Sequence, residues 1–154
     1  MRLTSAIRNL WVQAGISALL AALAVAVVVR SELKPLDAEQ LKIQVSDMRA
    51  FAAAGEQLCE QYVHGSINET FLRNQAELIE EKAKAAKEEI ETSKVDQEAR
   101  PDAVRARVLA ASLDAAFNGL SDGSSDAQKT AVELSDLVRA LDEMEDRLKA
   151  KVEK

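Results

Sequence analysis

The sequence predicts an all-α protein, in which a single N-terminal transmembrane helix precedes an antiparallel four-helix bundle with coiled-coil-like packing. The 154 residues include only five Gly and two Pro, which argues against a β-sandwich, a barrel or a disordered tail. All 26 acidic residues lie at or after Glu32, so the charges of the first thirty residues are all basic. Beyond residue 37, apolar residues recur at alternating four- and three-residue steps, as in helices that pack into a bundle. The predicted segments are the anchor (1–30), a linker (31–36) and the water-soluble bundle (37–154).

The leading segment, residues 1–30, has the length and composition of a membrane span. Between Arg8 and Arg30 lie 21 residues without a charge, enough to cross a hydrocarbon core of roughly 30 Å at about 1.5 Å per residue. Trp11 lies where an interfacial aromatic side chain would anchor the cytoplasmic edge, and Arg8 and Arg30 bracket the run at headgroup level. A buried helix of a soluble protein is the weaker interpretation, because such a helix is usually shorter or interrupted by polar residues.

Two other interpretations of this segment stay open, a cleaved signal peptide and a mitochondrial-type presequence. Residues 22–24 and 24–26 both have the small-x-small form that signal peptidase cuts. The apolar run continues past both sites to Val29, which favours an uncleaved anchor. Residues 14–29 are also too uniformly apolar for an amphipathic transit helix.

The charges that flank the span favour a cytoplasmic N-terminus. The terminal amine, Arg2 and Arg8 precede the span, whereas Arg30 and Lys34 follow it, an excess of one charge. We therefore expect a single-pass protein of the inner (plasma) membrane. Its residues 31–154 would lie outside the cytoplasm, which in a bacterium is the periplasm.

A row of alanines runs along the predicted span. Ala14, Ala18, Ala22 and Ala26 are each four residues apart, and Gly15 lies beside the start of the row. Small residues at this spacing let a second helix approach to backbone contact, where packing drives association in lipid. We expect the row to contact another membrane protein or a second copy of the chain. The alternative is that an alanine-rich composition produces the row by chance.

The first helix of the water-soluble part is predicted to begin after a break at Pro35. Asp37 and Gln40 have the spacing of a capping box, and Gly65 is predicted to end the helix. The residues expected to face the other helices are Leu41, Val45, Met48, Ala52, Gly55, Cys59 and Tyr62.

The second and fourth helices of the bundle are predicted from the same capping pattern. It recurs at Ser66 with Glu69 and at Ser125 with Gln128. The expected inward positions are Leu72, Ala76, Ile79, Ala83, Ala86 and Ile90 in the second helix, and Leu134, Leu137, Leu141, Met144 and Leu148 in the fourth.

The third helix is predicted to run from Pro101 to a left-handed cap at Gly119. At about 19 residues it is shorter than its neighbours, so one end of the bundle is expected to be incomplete or covered by the linker at 91–100. Its expected inward positions are Val104, Val108, Leu109, Leu113, Ala116 and Phe117.

The residues that carry chemistry are few. One His and one Cys are too few for a structural zinc site, an intrachain disulfide or the usual His-containing triad, so we expect no metal, no cofactor and no enzyme activity. Nucleic-acid binding is disfavoured because the soluble part is acidic, its basic residues are scattered, and the sequence shows no platform of aromatic residues on which bases could stack. Solvent-face ion pairs are expected among Glu80, Glu81, Lys82, Lys84, Lys87, Glu88 and Glu89.

These observations favour a membrane-anchored accessory or scaffold subunit of a cell-envelope complex, which acts through protein–protein contacts. The alternative is an extracytoplasmic sensor bundle with a ligand pocket at the small-residue layer of Ala52, Gly55 and Cys59. In layout alone, the chain is similar to chemoreceptor sensor domains and phage inner-membrane spanins. It has no second span or signalling hairpin as a chemoreceptor would need, and no sequence motif of either family.

Overall fold

A computed structural model describes residues 36–153, and every regular element within them is a helix. The all-α helical bundle predicted for this part of the chain is therefore confirmed. The predicted transmembrane helix lies in residues 1–30, outside the described residues, and stays a prediction. The four helices are α1 (Ala38–Val63), α2 (Glu69–Thr92), α3 (Arg100–Ser121) and α4 (Ala127–Val152).

Within residues 36–153, no helix combines the length and the apolar composition that crossing a membrane requires.

The first helix begins and ends as its sequence predicts. The side chain of Asp37 accepts a hydrogen bond of 2.9 Å from the backbone N–H of Gln40, which satisfies one unpaired donor of the first turn. Gly65 adopts a left-handed φ of 72° directly after the helix. The start of α2 was predicted at Ser66, which is wrong. The N–H of Ser66 donates to the carbonyl of Gln61, so Ser66 closes α1, and Asn68 caps α2 instead.

The turn between α3 and α4 lies a few residues later than the sequence predicts. Gly119 was predicted to be a left-handed cap, but α3 continues through it to Ser121, and the left-handed glycine is Gly123, with φ 75°. A side chain at position 119 would overlap Ser125, whose N–H donates to the Gly119 carbonyl. Ser125 is thereby held in the turn, and Asp126 caps α4 by accepting from the N–H of Lys129.

The helices form an up-down-up-down bundle with two closely packed antiparallel pairs. The first pair is α1 with α4, and the second is α2 with α3. Contacts between α1 and α2 and between α3 and α4 complete the ring, so α1 and α3 lie across its diagonal. One end of the bundle therefore holds the start of α1 and the end of α4. We call it the Leu36 end.

The inward faces of α1, α2 and α4 largely match the predicted positions, and in α3 the predicted Leu113, Ala116 and Phe117 are buried, but two predicted valines are not. Val104 and Val108 were predicted to be buried and are 58% and 62% exposed. Three alanines on the opposite side of α3, Ala103, Ala106 and Ala110, are buried instead. Small side chains at these positions let α3 lie close to its neighbours, which a row of valines would prevent.

The chain enters the bundle through a backbone clamp at Leu36, which is only 3% exposed. Its N–H donates to the carbonyl of Lys94 at 2.6 Å, and its carbonyl accepts from the N–H of Asp96 at 3.1 Å. These two bonds, which we call the Leu36 clamp, tie the start of the bundle to the connection between α2 and α3. With 22 residues, α3 is the shortest of the four described helices, and the connection before it is joined to Leu36 by an isolated bridge at Val95.

Candidate interaction surfaces

The predicted membrane-facing residues lie outside the described residues, so their roles stay predictions. They are the packing row Ala14, Gly15, Ala18, Ala22 and Ala26 and the interfacial residues Arg8, Trp11 and Arg30.

The small-residue layer of α1 is filled by side chains from the facing helices. Ala52, Gly55 and Cys59 are all buried. The ring of Phe117 on α3 lies over Gly55, and Leu134 on α4 approaches the same point. The layer therefore accommodates an aromatic ring of the protein itself. The prediction of a ligand pocket at this layer stays a prediction. Phe117 and Leu134 leave no space for a ligand directly beside Gly55.

The single thiol of the chain lies inside this layer. Cys59 is fully buried, and its removal from water raises the pKa of the thiol from 9.0 to about 11. Because the thiolate is the reactive species, a thiol with this pKa remains neutral and inert near pH 7. Cys59 thus acts as a small apolar core residue.

A buried carboxylate joins α2 to α3. Glu80 was predicted to lie on the solvent face, which is wrong, since it is only 7% exposed. It accepts hydrogen bonds from Lys84 Nζ at 2.5 Å, Ser121 Oγ at 2.6 Å and Asn118 Nδ2 at 3.3 Å. The bonds from Lys84 and Ser121 hold the pKa of Glu80 below its ordinary value, although burial opposes them. We call these four residues the Glu80 cluster. It holds the register of α2 against α3.

The outer side of α3 presents a continuous apolar stripe. Its members are spaced three and four residues apart, so they fall within an arc of about 80° of the helix surface, given about 100° per residue. All are exposed, although the opposite side of α3 is apolar and buried. A surface helix normally turns polar side chains outward, so an apolar outer side is a candidate contact surface. The α3 stripe consists of Pro101, Val104, Val108, Ala111 and Ala115.

A basic groove lies at the Leu36 end, where the α2–α3 connection meets the first turns of α3. It has a volume of about 480 Å³ and no carboxylate in its lining. Arg107 is held in place because its Nε and Nη2 donate to the carbonyl of Ile90, at 3.2 and 3.1 Å. None of the three cations, Lys94, Arg100 and Arg107, forms an ion pair with the other residues of 36–153. The groove is lined by Ser93, Lys94, Val95, Arg100, Ala103, Val104 and Arg107.

The charges of the bundle are unevenly divided along its length. When each helix is cut at its midpoint, the half with the Leu36 end holds twelve of the fifteen basic residues of 36–153. The same half holds fifteen of the twenty-five acidic residues, so the opposite half, with three basic and ten acidic residues, is the more negative. The basic residues of the Leu36 half are Lys42, Arg49, Lys82, Lys84, Lys87, Lys94, Arg100, Arg105, Arg107, Arg147, Lys149 and Lys151.

In residues 36–153, no three His, Cys, Asp or Glu side chains gather in a group that could hold a metal ion. Comparison of the chain with protein families, with curated proteins and with solved structures finds no match.

Proposed function

We propose that this chain is a membrane-anchored helical accessory or scaffold subunit of a cell-envelope complex, acting through protein–protein contacts. The observation that carries the proposal is the α3 stripe. Val104 and Val108 are more than half exposed in a bundle whose interior is filled without them. Exposed apolar side chains in one continuous row are typical of surfaces that a partner covers.

The anchor is supported by the sequence of the leading segment. Its 21 uncharged residues between Arg8 and Arg30 suit a span, and the flanking charges favour a cytoplasmic N-terminus. In this proposal the lipid bilayer is the first partner. The second is another membrane protein, or a second copy of the chain, that packs on the alanine row in the membrane.

The bundle is suited to present a surface rather than to enclose a ligand. Phe117 and Leu134 occupy the space beside Gly55, and the Glu80 cluster holds α2 and α3 in one register. A rigid bundle keeps the α3 stripe straight and in place, as a docking surface for another helix requires. The bundle lies outside the cytoplasm in this proposal.

The test is affinity purification of the full chain from its native membrane in mild detergent, with quantification of the proteins recovered. Val104→Glu with Val108→Glu should remove the partner while leaving thermal unfolding unchanged, because both side chains are exposed. The matched control is Val132→Glu with Val152→Glu, which alters two exposed valines of α4. Equal partner recovery from both variants would contradict the role of the stripe. Recovery of the wild-type chain in the soluble fraction would contradict the anchor.

A further inference from the structure

We propose that the basic groove at the Leu36 end binds the phosphate of an anionic phospholipid headgroup, at the surface of the membrane that anchors the chain. This inference rests on the anchor in the proposed function. It adds a second, specific contact between the bundle and the bilayer.

The lining of the groove matches the chemistry of a phosphodiester. Lys94 and Arg100 contribute two cations from the α2–α3 connection and the start of α3, and Arg107 contributes a third from the next turns of α3. Two guanidinium groups and an ammonium provide charge-assisted donors for phosphate oxygens. Arg107 uses Nε and Nη2 to bind the Ile90 carbonyl, and its third nitrogen, Nη1, is left for a ligand.

The apolar part of the lining favours a lipid headgroup over a free ion. Val95, Ala103 and Val104 lie beside the cations in the same groove of about 480 Å³. A headgroup presents its glycerol carbons next to its phosphate, and these carbons would contact the apolar side chains. A free phosphate ion would leave that part of the groove filled with water.

None of the three cations of the groove has a carboxylate partner within residues 36–153, whereas eight other cations of the bundle do. Arg49 pairs with Asp142, Lys87 with Asp114 at 2.9 Å and Lys151 with Asp102. In a chain with more acidic than basic residues, three adjacent cations without such a partner form an anion site.

The groove adjoins the residue at which the described part of the chain begins. The carbonyl of Lys94 accepts from Leu36, so the groove begins at a residue bonded to the start of the bundle. In the sequence, residues 31–35 separate Leu36 from the predicted span, which ends at Arg30.

The experiment is amide hydrogen exchange on the full chain in nanodiscs, made either of phosphatidylcholine or of an equimolar mixture of phosphatidylcholine and phosphatidylglycerol. We expect the amides of residues 93–107 to exchange more slowly in the mixed nanodiscs. The slowing should be lost in the variant Lys94→Gln with Arg100→Gln. The matched control, Arg147→Gln with Lys149→Gln, removes the same charge from the exposed face of α4 in the same half, and should retain the slowing.

Each other outcome overturns the inference in a distinguishable way. Equal exchange in the two nanodiscs would show that the groove binds no anionic lipid, while the anchor stands. Loss of the slowing in both variants would show that anionic lipid attracts the basic residues of the Leu36 half in general, and not the groove in particular. The same slowing in phosphatidylcholine nanodiscs after addition of inorganic phosphate would show a site for the free ion. A chain that does not enter nanodiscs at all would overturn the anchor, and this inference with it.

Discussion

Phe117 and Gly55 are in contact across the diagonal of the bundle. A Cβ built on Gly55 would lie 2.5 Å from Cζ and 2.7 Å from Cε1 of the Phe117 ring, and 2.9 Å from Cδ1 of Leu134. These distances are shorter than any van der Waals contact between carbon atoms. The absence of a side chain at position 55 is therefore what allows α3 to place an aromatic ring against α1.

Gly55→Ala should lower the free energy of unfolding by about 1–3 kcal/mol, as overpacking of a filled core does. This outcome is opposite in sign to the gain of up to about 1 kcal/mol that alanine brings to an ordinary helix position. Chemical denaturation followed by circular dichroism measures this change in the free energy of unfolding. Phe117→Leu opens space beside position 55. The double variant Gly55→Ala with Phe117→Leu should therefore lose less stability than the sum of the losses in the two single variants. Strict additivity would contradict the contact.

Cys59 in the folded protein should resist maleimide and react only after denaturation. Its side chain is fully buried, and burial raises the pKa of the thiol to about 11. Mass spectrometry of native and denatured samples measures the labelled fraction. A Cys59→Ala variant that carries Ala53→Cys, at an exposed position of α1, serves as the control that should react at once. Rapid labelling of the native wild type would show that α1 turns this face toward a partner.

The same thiol should make the stability of the bundle fall at high pH. The folded state favours the neutral thiol, so this contribution is fully present below the unfolded-chain pKa of 9.0. It is lost as the pH rises through the folded-state pKa of about 11. Denaturation curves across this range measure the decrease. The informative quantity is the difference in the free energy of unfolding between wild type and Cys59→Ala, which should change as the pH rises from 9.0 to about 11.

Glu80→Gln should destabilise the bundle by about 1–3 kcal/mol at neutral pH, because it weakens the charge-assisted bonds from Lys84 and Ser121. Those bonds lower the pKa of Glu80 below 4.5, so the ionised carboxylate stabilises the fold above pH 4.5. This contribution is lost as the pH falls through the folded-state pKa. The stability of the variant should therefore depend less on pH in the acid range. Glu81→Gln, at the exposed neighbouring position, should behave as wild type.

In the predicted span, replacement of Ala18 and Ala22 by Ile should weaken association in the membrane by about 1 kcal/mol or more. Bulkier side chains would hold a partner helix away from backbone contact. Förster energy transfer between labelled copies or partners in vesicles measures the change. Leu20→Ile with Leu23→Ile, on other faces of the same segment, should have little effect. Equal effects of the two pairs would show that the alanine row is compositional.

Most of the bundle could be predicted from the sequence, because α1 and α4 each bear one apolar face and start or end at recognisable residues. Asp37 caps the start of α1, and Gly65 adopts a left-handed conformation after its end, as their residue types predict. In α3 the rules were insufficient, because this helix is apolar on two sides. Periodicity alone could not decide whether Val104 or Ala103 faces inward, and the larger valine was the natural choice. The close approach of neighbouring helices, which no local pattern reports, selects the alanine.

The Glu80 cluster and the basic groove were missed for a related reason. Asn118 and Ser121 lie about forty residues after Glu80 in the chain, so only the pairing of α2 with α3 reveals them as its partners. A glutamate among lysines is ordinarily solvated, and the sequence offers no sign that this one is buried. The groove likewise depends on the folding of the connection against α3. Its only sequence signal is the spacing of Arg100 and Arg107, seven residues apart on one helix.

The Leu36 clamp also determines how the bundle bears mechanical load. Tension that arrives along the chain from residue 35 meets two backbone hydrogen bonds, to Lys94 and from Asp96, at the same point where it meets α1. The force is thus divided between α1 and the loop that joins α2 to α3. Without these bonds a pull would peel α1 away from its end, one turn at a time. With them, both backbone bonds of Leu36 must break before the first turn of α1 bears the load alone.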